Sequence, residues 1–280
     1  MSALDTAVYW VNERERIRIA KEELESPKPW TQDPILQDFK FCNVFREDDR
    51  NTRWLAEHIR EPLRNDPRVL MAVVIFRWFN LIETGETLVK HNLHLDWETE
   101  KADEVIRPQP KWITSAYIIK SPNGYDKLTG IRWAIDQMWP HREELYEKLL
   151  ATNSLEKSWE IVKEFPYMGP FMAYEIITDL RHTHLLEEAE DILGWANPGP
   201  GCMRGLNRIH GRPLNFTSKR HNWQEELQDL RRYVNTHSDP QVPPFEMRDA
   251  EGLCCELDKY LRIHNGEGKT RCKYDGRGKQ

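Results

Sequence analysis

Helical periodicity dominates the pattern of apolar and polar positions. Val8, Val11, Ile17 and Leu24 recur on one face of residues 6–25, and Trp54, Leu55, His58, Ile59 and Leu63 give a second amphipathic stretch. SPKPWTQDP (26–34) carries three prolines and predicts a loop. Asp66-Pro67 reads as a helix start, with Asp as N-cap and Pro at the first helical position. It opens VLMAVVIFRWFNLI, which is apolar nearly all round and so predicts a central buried helix. Residues 126–150 predict another helix, interrupted near Pro140, and Ser154 opens one that leads to Phe165. Ser218 caps a long helix through His237, with Trp223, Leu227, Leu230 and Val234 inside. Asp249 opens the last helix, with Leu253, Leu257, Tyr260 and Leu261 facing in. Only WITSAYII (112–119) has strand character, and it suits a helix equally. The expectation is one compact, mostly α domain over residues 1–280, with lobes at 1–150 and 151–265 and a basic tail at 266–280.

Composition narrows the class. The chain has 280 residues, 39% of them hydrophobic and 31% charged, enough for a core that needs no disulfides. No run approaches the roughly 18 apolar residues of a membrane span, and the N-terminus lacks the basic-then-apolar pattern of a secretory signal. Cys42, Cys202, Cys254, Cys255 and Cys272 are odd in number and form no CxxC, which points to reduced thiols in a cytosol rather than a zinc knuckle. The net charge of −6 argues against nucleic acid, but its distribution does not. Met203–His221 holds five cations (Arg204, Arg208, Arg212, Lys219, Arg220) and no acid, and Arg262–Lys279 is basic too. Basic blocks on an acidic body steer a polyanion to one face. Of the eleven tryptophans, Trp10, Trp30, Trp54 and Trp195 stand beside polar residues where a ring could stack on a base, although core packing suits each singly.

Two segments carry candidate chemistry. In EFPYMGPFMAYEIITDL (164–180) a helix ends at Phe165, Pro166-x-x-Gly169 turns, and a second helix starts at Pro170, with Ala173 small enough for a close crossing. This PxxGxxxA pattern is that of a helix-hairpin-helix, which presents amides around its glycine to a DNA phosphate. Met168, Gly169 and Phe171 are its candidate DNA contacts, joined by Arg212, Lys219 and Arg220 downstream. An ordinary αα-corner has the same signature. Asp191 lies 22 residues after Gly169, a spacing similar to that of the catalytic aspartate in helix-hairpin-helix base-excision glycosylases. WANPGPGCMRGLNRIHGR (195–212) then supplies a Gly/Pro loop able to turn amides toward an anion, followed by Arg204 and Arg208 on one helical face. Gly199, Gly201, Arg204 and Asn207 are the candidate pyrophosphate ligands. Gly268-Lys269-Thr270 does not complete a P-loop, because Arg262 and Ile263 stand where its first glycine should fall; the chain is not itself a kinase of that type.

Several blocks together resemble the phage thymine-hypermodification family: PWTQDPIL (29–36), FCNVFREDDR (41–50), FRWFN (76–80), YMGPFMAYEIITDL (167–180), NPGPGCMRGLNRIHGR (197–212) and LCCELDKYLR (253–262). That family includes alpha-glutamyl/putrescinyl thymine pyrophosphorylases, also called amino acid:DNA transferases, and is similar to the helical domain attached to 5-hydroxymethyluracil DNA kinases. The resemblance implies a helical, helix-hairpin-helix glycosylase-like fold. It implies a substrate, too: double-stranded DNA bearing pyrophosphorylated 5-hydroxymethyluracil, in which an amino acid or polyamine amine displaces pyrophosphate. Other hypermodification enzymes are the implied partners, and the host cytoplasm the implied location.

That chemistry assigns roles. Pyrophosphate departure leaves a cation conjugated with the pyrimidine, so Arg204 and Arg208 would stabilise the leaving anion, and Asp191 the cation or the attacking amine's proton. Asp179 and Glu175 share a face of the second hairpin helix and are alternative bases. Arg77, Asn80 and Thr84 share a face of the apolar helix, and Asn43, Arg46, Glu47 and Arg50 share one if 41–50 is helical. Arg46, Arg77 and Asn80 are thus candidates for holding the amine donor, with structural ion pairing the competing account. His182/His184 and His91/His94 lack a third ligand, so no metal site is assigned; Asp48-Asp49 leaves Mg²⁺ as the one cofactor open. Two other readings stay in play: a glycosylase acting on a modified base, and a non-catalytic DNA-binding module that partners a kinase.

Overall fold

The structure is a computed structural model that describes residues 1–115 and 120–267. The described residues are mostly helical and contain no strand. The helices are α1 (Ala3–Arg18), α2 (Pro34–Asp38), α3 (Arg50–Leu55), α4 (Val69–Phe79), α5 (Ile82–Lys90), α6 (Thr99–Ile106), α7 (Lys127–Met138), α8 (Arg142–Thr152), α9 (Leu155–Lys163), α10 (Gly169–Leu180), α11 (Pro200–Ile209), α12 (Trp223–His237) and α13 (Met247–His264). The chain divides into two compact units: Arg50–Ile192, and a discontinuous one made of Met1–Asp49 with the segment from Leu193 onward. The linear lobes expected at 1–150 and 151–265 do not follow this division. Its first and last segments share one core.

The Arg50–Ile192 unit is built on α4, all eleven residues of which are buried. Its side chains leave no polar face, so neighbours must surround it, and α10, α5, α7 and α8 pack there. The helix stops at Asn80, which takes a left-handed φ of 46°. The Arg77–Asn80–Thr84 stripe expected on one helix is therefore broken, and Thr84 instead donates from α5 to the Trp112 carbonyl. Asp66 does not cap α4; it accepts from the Arg68 amide and side chain in the preceding turn. Gly85 is needed for packing: a Cβ there would lie 2.6 Å from the Trp54 ring and 2.7 Å from Phe76. Residues 112–115 form no strand, and 116–119 of the same expectation lie outside the described residues.

In the discontinuous unit, α11 lies across α13, with α1 and α12 alongside. Gly205 permits that crossing, since a Cβ would come within 2.1 Å of the Cys254 carbonyl oxygen. Trp10, buried in α1, meets Phe41 edge-on at 6.1 Å. Asp33 caps α2 through the Ile35 and Leu36 amides and also accepts the Tyr9 and Tyr260 hydroxyls at 2.9 and 2.6 Å, so its buried charge is fully coordinated. Three sequence expectations shift here. α1 passes into a π-helical turn at Ile19–Glu23, leaving Leu24 exposed. Asn222, not Ser218, caps α12. Asp249 sits three positions into a capping box that Glu246 opens. Residues 268–280, which include the tail cations, Cys272 and the Gly-Lys-Thr triplet, lie outside the described residues.

Candidate functional site

The helix-turn-helix expected at 164–180 is present in the Arg50–Ile192 unit. α9 ends at Lys163, Pro166–Met168 turns, and α10 begins at Gly169, with Gly169 at φ 61° and Tyr167 at φ 62°. Gly169 suits that conformation; a tyrosine pays for it in steric energy. The opening amides of α10 have no side-chain cap, and its first turn holds no acid. That makes it receptive to an anion. Phe171 is 50% exposed, but the Met168 side chain is buried and cannot touch DNA.

Asp191 is engaged by this hairpin. Its carboxylate accepts the Ser154 hydroxyl at 2.8 Å, the Leu155 amide at 2.7 Å and the Glu156 amide at 3.0 Å. It therefore caps α9 from a distant turn, its charge set against the positive end of the helix. The sequence expectation gave Asp191, by its spacing from Gly169, the role of a catalytic carboxylate. The structure places it as an anchor.

Asp179 lies at the centre of a buried polar network. Arg77 Nε and Nη2 donate to its two oxygens at 2.5 and 2.8 Å, Arg60 Nη1 lies 3.9 Å away, and Arg77 also bonds Asn80 Oδ1 and the Thr52 hydroxyl. Arg77, Asn80 and Asp179 are 1%, 4% and 0% exposed. Such charges are tolerated in a core only as a satisfied set. Arg77 and Asn80, expected from the sequence to hold the amine donor, are here bonded to each other, with Arg77 on Asp179. Glu175 is buried one turn away. Arg46 belongs to the other unit, at the head of a 3₁₀ turn (Arg46–Asp48); residues 41–50 are not one helix, and Asn43 bonds Arg14 and the Asp48 carbonyl.

In the discontinuous unit, Gly199 N-caps α11 without a side-chain bond. Arg204 and Arg208 do share a face, as their spacing indicated. Both converge on Asp258 of α13, Nε to carboxylate at 2.9 and 2.8 Å, and Arg208 also reaches Glu267 at 2.7 Å. Arg208 is nearly buried, while the Arg204 side chain is 42% exposed. The Arg204 guanidinium folds back along the helix: a Cβ on Gly201 would lie 3.8 Å from its Nη2. Open amides and a pinned, half-exposed guanidinium therefore meet at the start of α11. Cys202 is buried, and Cys255 of α13 is half-buried beside Gly201, whose Cβ would lie 2.9 Å from its Sγ; burial pushes both thiols up, so they act as packing groups rather than nucleophiles.

Two residues assigned to ligands are structural. Asn207, fully buried, donates to the Leu214 and Phe216 carbonyls and accepts from Arg212 Nε. Arg212 closes a bidentate pair with Glu226 and lies 5.3 Å over both Phe216 and Trp223. Burial alone would raise the Glu226 carboxyl, but bonds from Arg212 and His221 hold it below its usual range. Arg212, expected from the sequence to meet DNA, here clamps its loop. The loop it stiffens carries Lys219 and Arg220, both exposed. Among the tryptophans singled out, Trp10, Trp54 and Trp195 are core residues.

A match to the family described as "5-hmdU DNA kinase, helical domain" runs over residues 1–270. The chain belongs to that family. A 5-hmdU DNA kinase of Bacillus phage SP10 is 26% identical over 295 residues, which take in 93% of this chain and 45% of the relative. The chain therefore spans about half the length of that protein. No solved structure matches. The sequence blocks that suggested thymine hypermodification fall on the key elements of this helical-domain family member. FRWFN holds Arg77 and Asn80, YMGPFMAYEIITDL forms the hairpin tip and α10, NPGPGCMRGLNRIHGR forms α11 with its open start, and LCCELDKYLR is the stretch of α13 that faces α11. No described helix is long and apolar enough to cross a membrane.

Proposed function

We propose that this protein modifies 5-hydroxymethyluracil in DNA, joining an amino acid or polyamine to the pyrophosphorylated base with loss of pyrophosphate. The observation that carries the reading is the start of α11, where uncapped amides and Arg204 meet, with Asp258 fixing the guanidinium by one nitrogen. As the carbon–oxygen bond to pyrophosphate breaks, Arg204 and the amides of Gly201 and Cys202 take up the growing negative charge. The amine nitrogen bonds to the exocyclic carbon, and its spare proton leaves with the pyrophosphate. Arg208 holds the shared carboxylate in place. Asp179 and Asp191, each already coordinated, hold the helices of their own unit and take no part in the chemistry. The Lys219–Arg220 loop, in the same unit as α11, holds the duplex backbone. A kinase activity supplies the pyrophosphorylated base.

A second reading, a DNA-binding module without chemistry of its own, gains support from the same engagement of Asp179 and Asp191. Incubation with DNA carrying thymine, 5-hydroxymethyluracil or its pyrophosphate, with mixed amines, followed by nucleoside mass analysis, separates the readings. The transferase gives an amine-dependent mass gain on the pyrophosphate form alone. A glycosylase gives abasic sites without an amine. A module gives binding and no new nucleoside.

A further inference from the structure

The hairpin tip carries a feature that the fold does not require. Tyr167 holds φ at 62°, a region that bulky side chains rarely occupy, yet its ring is 44% exposed rather than buried in compensation. Glycine or asparagine would make the same turn at lower cost. The ring is nevertheless braced. Trp133 meets it edge-on at 5.6 Å and 86°. Beside it, Phe171 is 50% exposed, and Trp159 is fixed by a 2.9 Å bond from its indole N–H to the Pro170 carbonyl. The Lys163 ammonium lies 3.9 Å over the Trp159 ring. Flat rings, the Lys163 ammonium, which also lies 3.7 Å from Glu160, and the start of α10 thus sit together at one tip.

We propose that this tip is a stacking platform for an unstacked nucleobase, with Tyr167 as the ring that meets the strand. A nucleotide strand matches the chemistry because it alternates anions with flat rings. The phosphate suits the Gly169 amide and Lys163, and the base suits Tyr167. The platform gives the hairpin a second task beyond binding the backbone, holding a base or its neighbour out of the duplex. It rests on the reading that the protein acts on DNA.

The test uses the full chain and a duplex with 2-aminopurine beside 5-hydroxymethyluracil, followed by anisotropy and 2-aminopurine fluorescence, together with a gapped duplex. The wild type binds and the fluorescence rises. Tyr167→Gly relieves the backbone strain, so it unfolds no earlier than the wild type, yet it loses the fluorescence rise and binds the gapped duplex about tenfold more weakly, the scale of one lost base–aromatic stack. Tyr167→Phe keeps both. Wild-type-like fluorescence and binding within twofold for Tyr167→Gly overturn the platform while leaving the DNA reading intact. Failure of the wild type to bind any of these DNAs overturns both.

Discussion

Gly205→Ala is the sharpest perturbation of the scaffold beneath the proposed anion site. The added methyl would sit 2.1 Å from the Cys254 carbonyl oxygen, 2.7 Å from its carbon and 2.8 Å from its Cα, whereas ordinary contact begins at 3.4 Å. All three atoms belong to the backbone of α13, so no side-chain rotation relieves the clash, and α11 must move away by more than an ångström. Overpacking of this kind costs about 1–3 kcal/mol, here at the upper end because the neighbour is backbone. The better helix propensity of alanine offsets about 1 kcal/mol. The net expectation is a loss of about 2 kcal/mol, read as a lower urea midpoint with unchanged slope. Gly199→Ala, which meets no atom within 4 Å, is the control and should leave the midpoint in place. Because α13 also carries Asp258, Gly205→Ala should weaken pyrophosphate binding as the Arg204 anchor shifts. A Gly205→Ala protein as stable as the wild type would refute this account of the crossing.

Three further outcomes follow from the geometry. Asp179→Ala strands the Arg77 guanidinium in the core and should destabilise by about 3–5 kcal/mol, with Arg77→Met/Asp179→Leu recovering much of the loss; an unaffected unfolding midpoint for the single variant would remove the structural role. Asp191→Ala withdraws acceptors from the start of α9 and should cost about 1–2 kcal/mol and speed amide exchange at 155–157, while a loss of activity in Asp191→Asn at full stability would instead make it catalytic. Burial, with the charges of Glu246 and Glu47, pushes the Asp249 carboxyl from 3.8 up to about 7. The folded state then holds the proton more tightly, so stability declines as pH rises from about 4 to 7 and the loss is complete above that. Asp249→Asn should therefore stabilise by about 1–2 kcal/mol near pH 8 and change little near pH 4, as melting temperatures across that range would show.

Local patterns were legible in the sequence, and long-range pairings were not. α4 declared itself because an unbroken apolar run has only one stable place, the core. The hairpin was readable because Pro166 and Gly169 constrain their own backbone, and the Arg204–Arg208 pair because helical spacing alone aligns them. The partner of that pair was not readable: Asp258 lies 50 residues beyond Arg208 and 54 beyond Arg204. Arg77 was suspected of pairing with nearby acids, yet its partner Asp179 is 102 residues away. Asp191 misled because a capping aspartate normally precedes its helix, whereas this one reaches α9 from beyond α10. Asn207 misled because it stands among anion-receptor residues but points inward. One signal was available and missed: Glu226 is the acid facing Arg212 from the first turn of α12, a natural end for that arginine.

The central claim is that the start of α11 receives the leaving pyrophosphate. Its most direct measurement is pyrophosphate released per nucleoside modified, on DNA carrying pyrophosphorylated 5-hydroxymethyluracil, for the wild type and for Arg204→Ala. The account predicts one pyrophosphate per new amine-bearing nucleoside in the wild type. In Arg204→Ala, whose fold and DNA affinity are retained, it predicts a rate lower by about a hundredfold or more, the scale of one lost oxyanion donor. Equal rates for the two proteins, or nucleoside formation without pyrophosphate release, would contradict it.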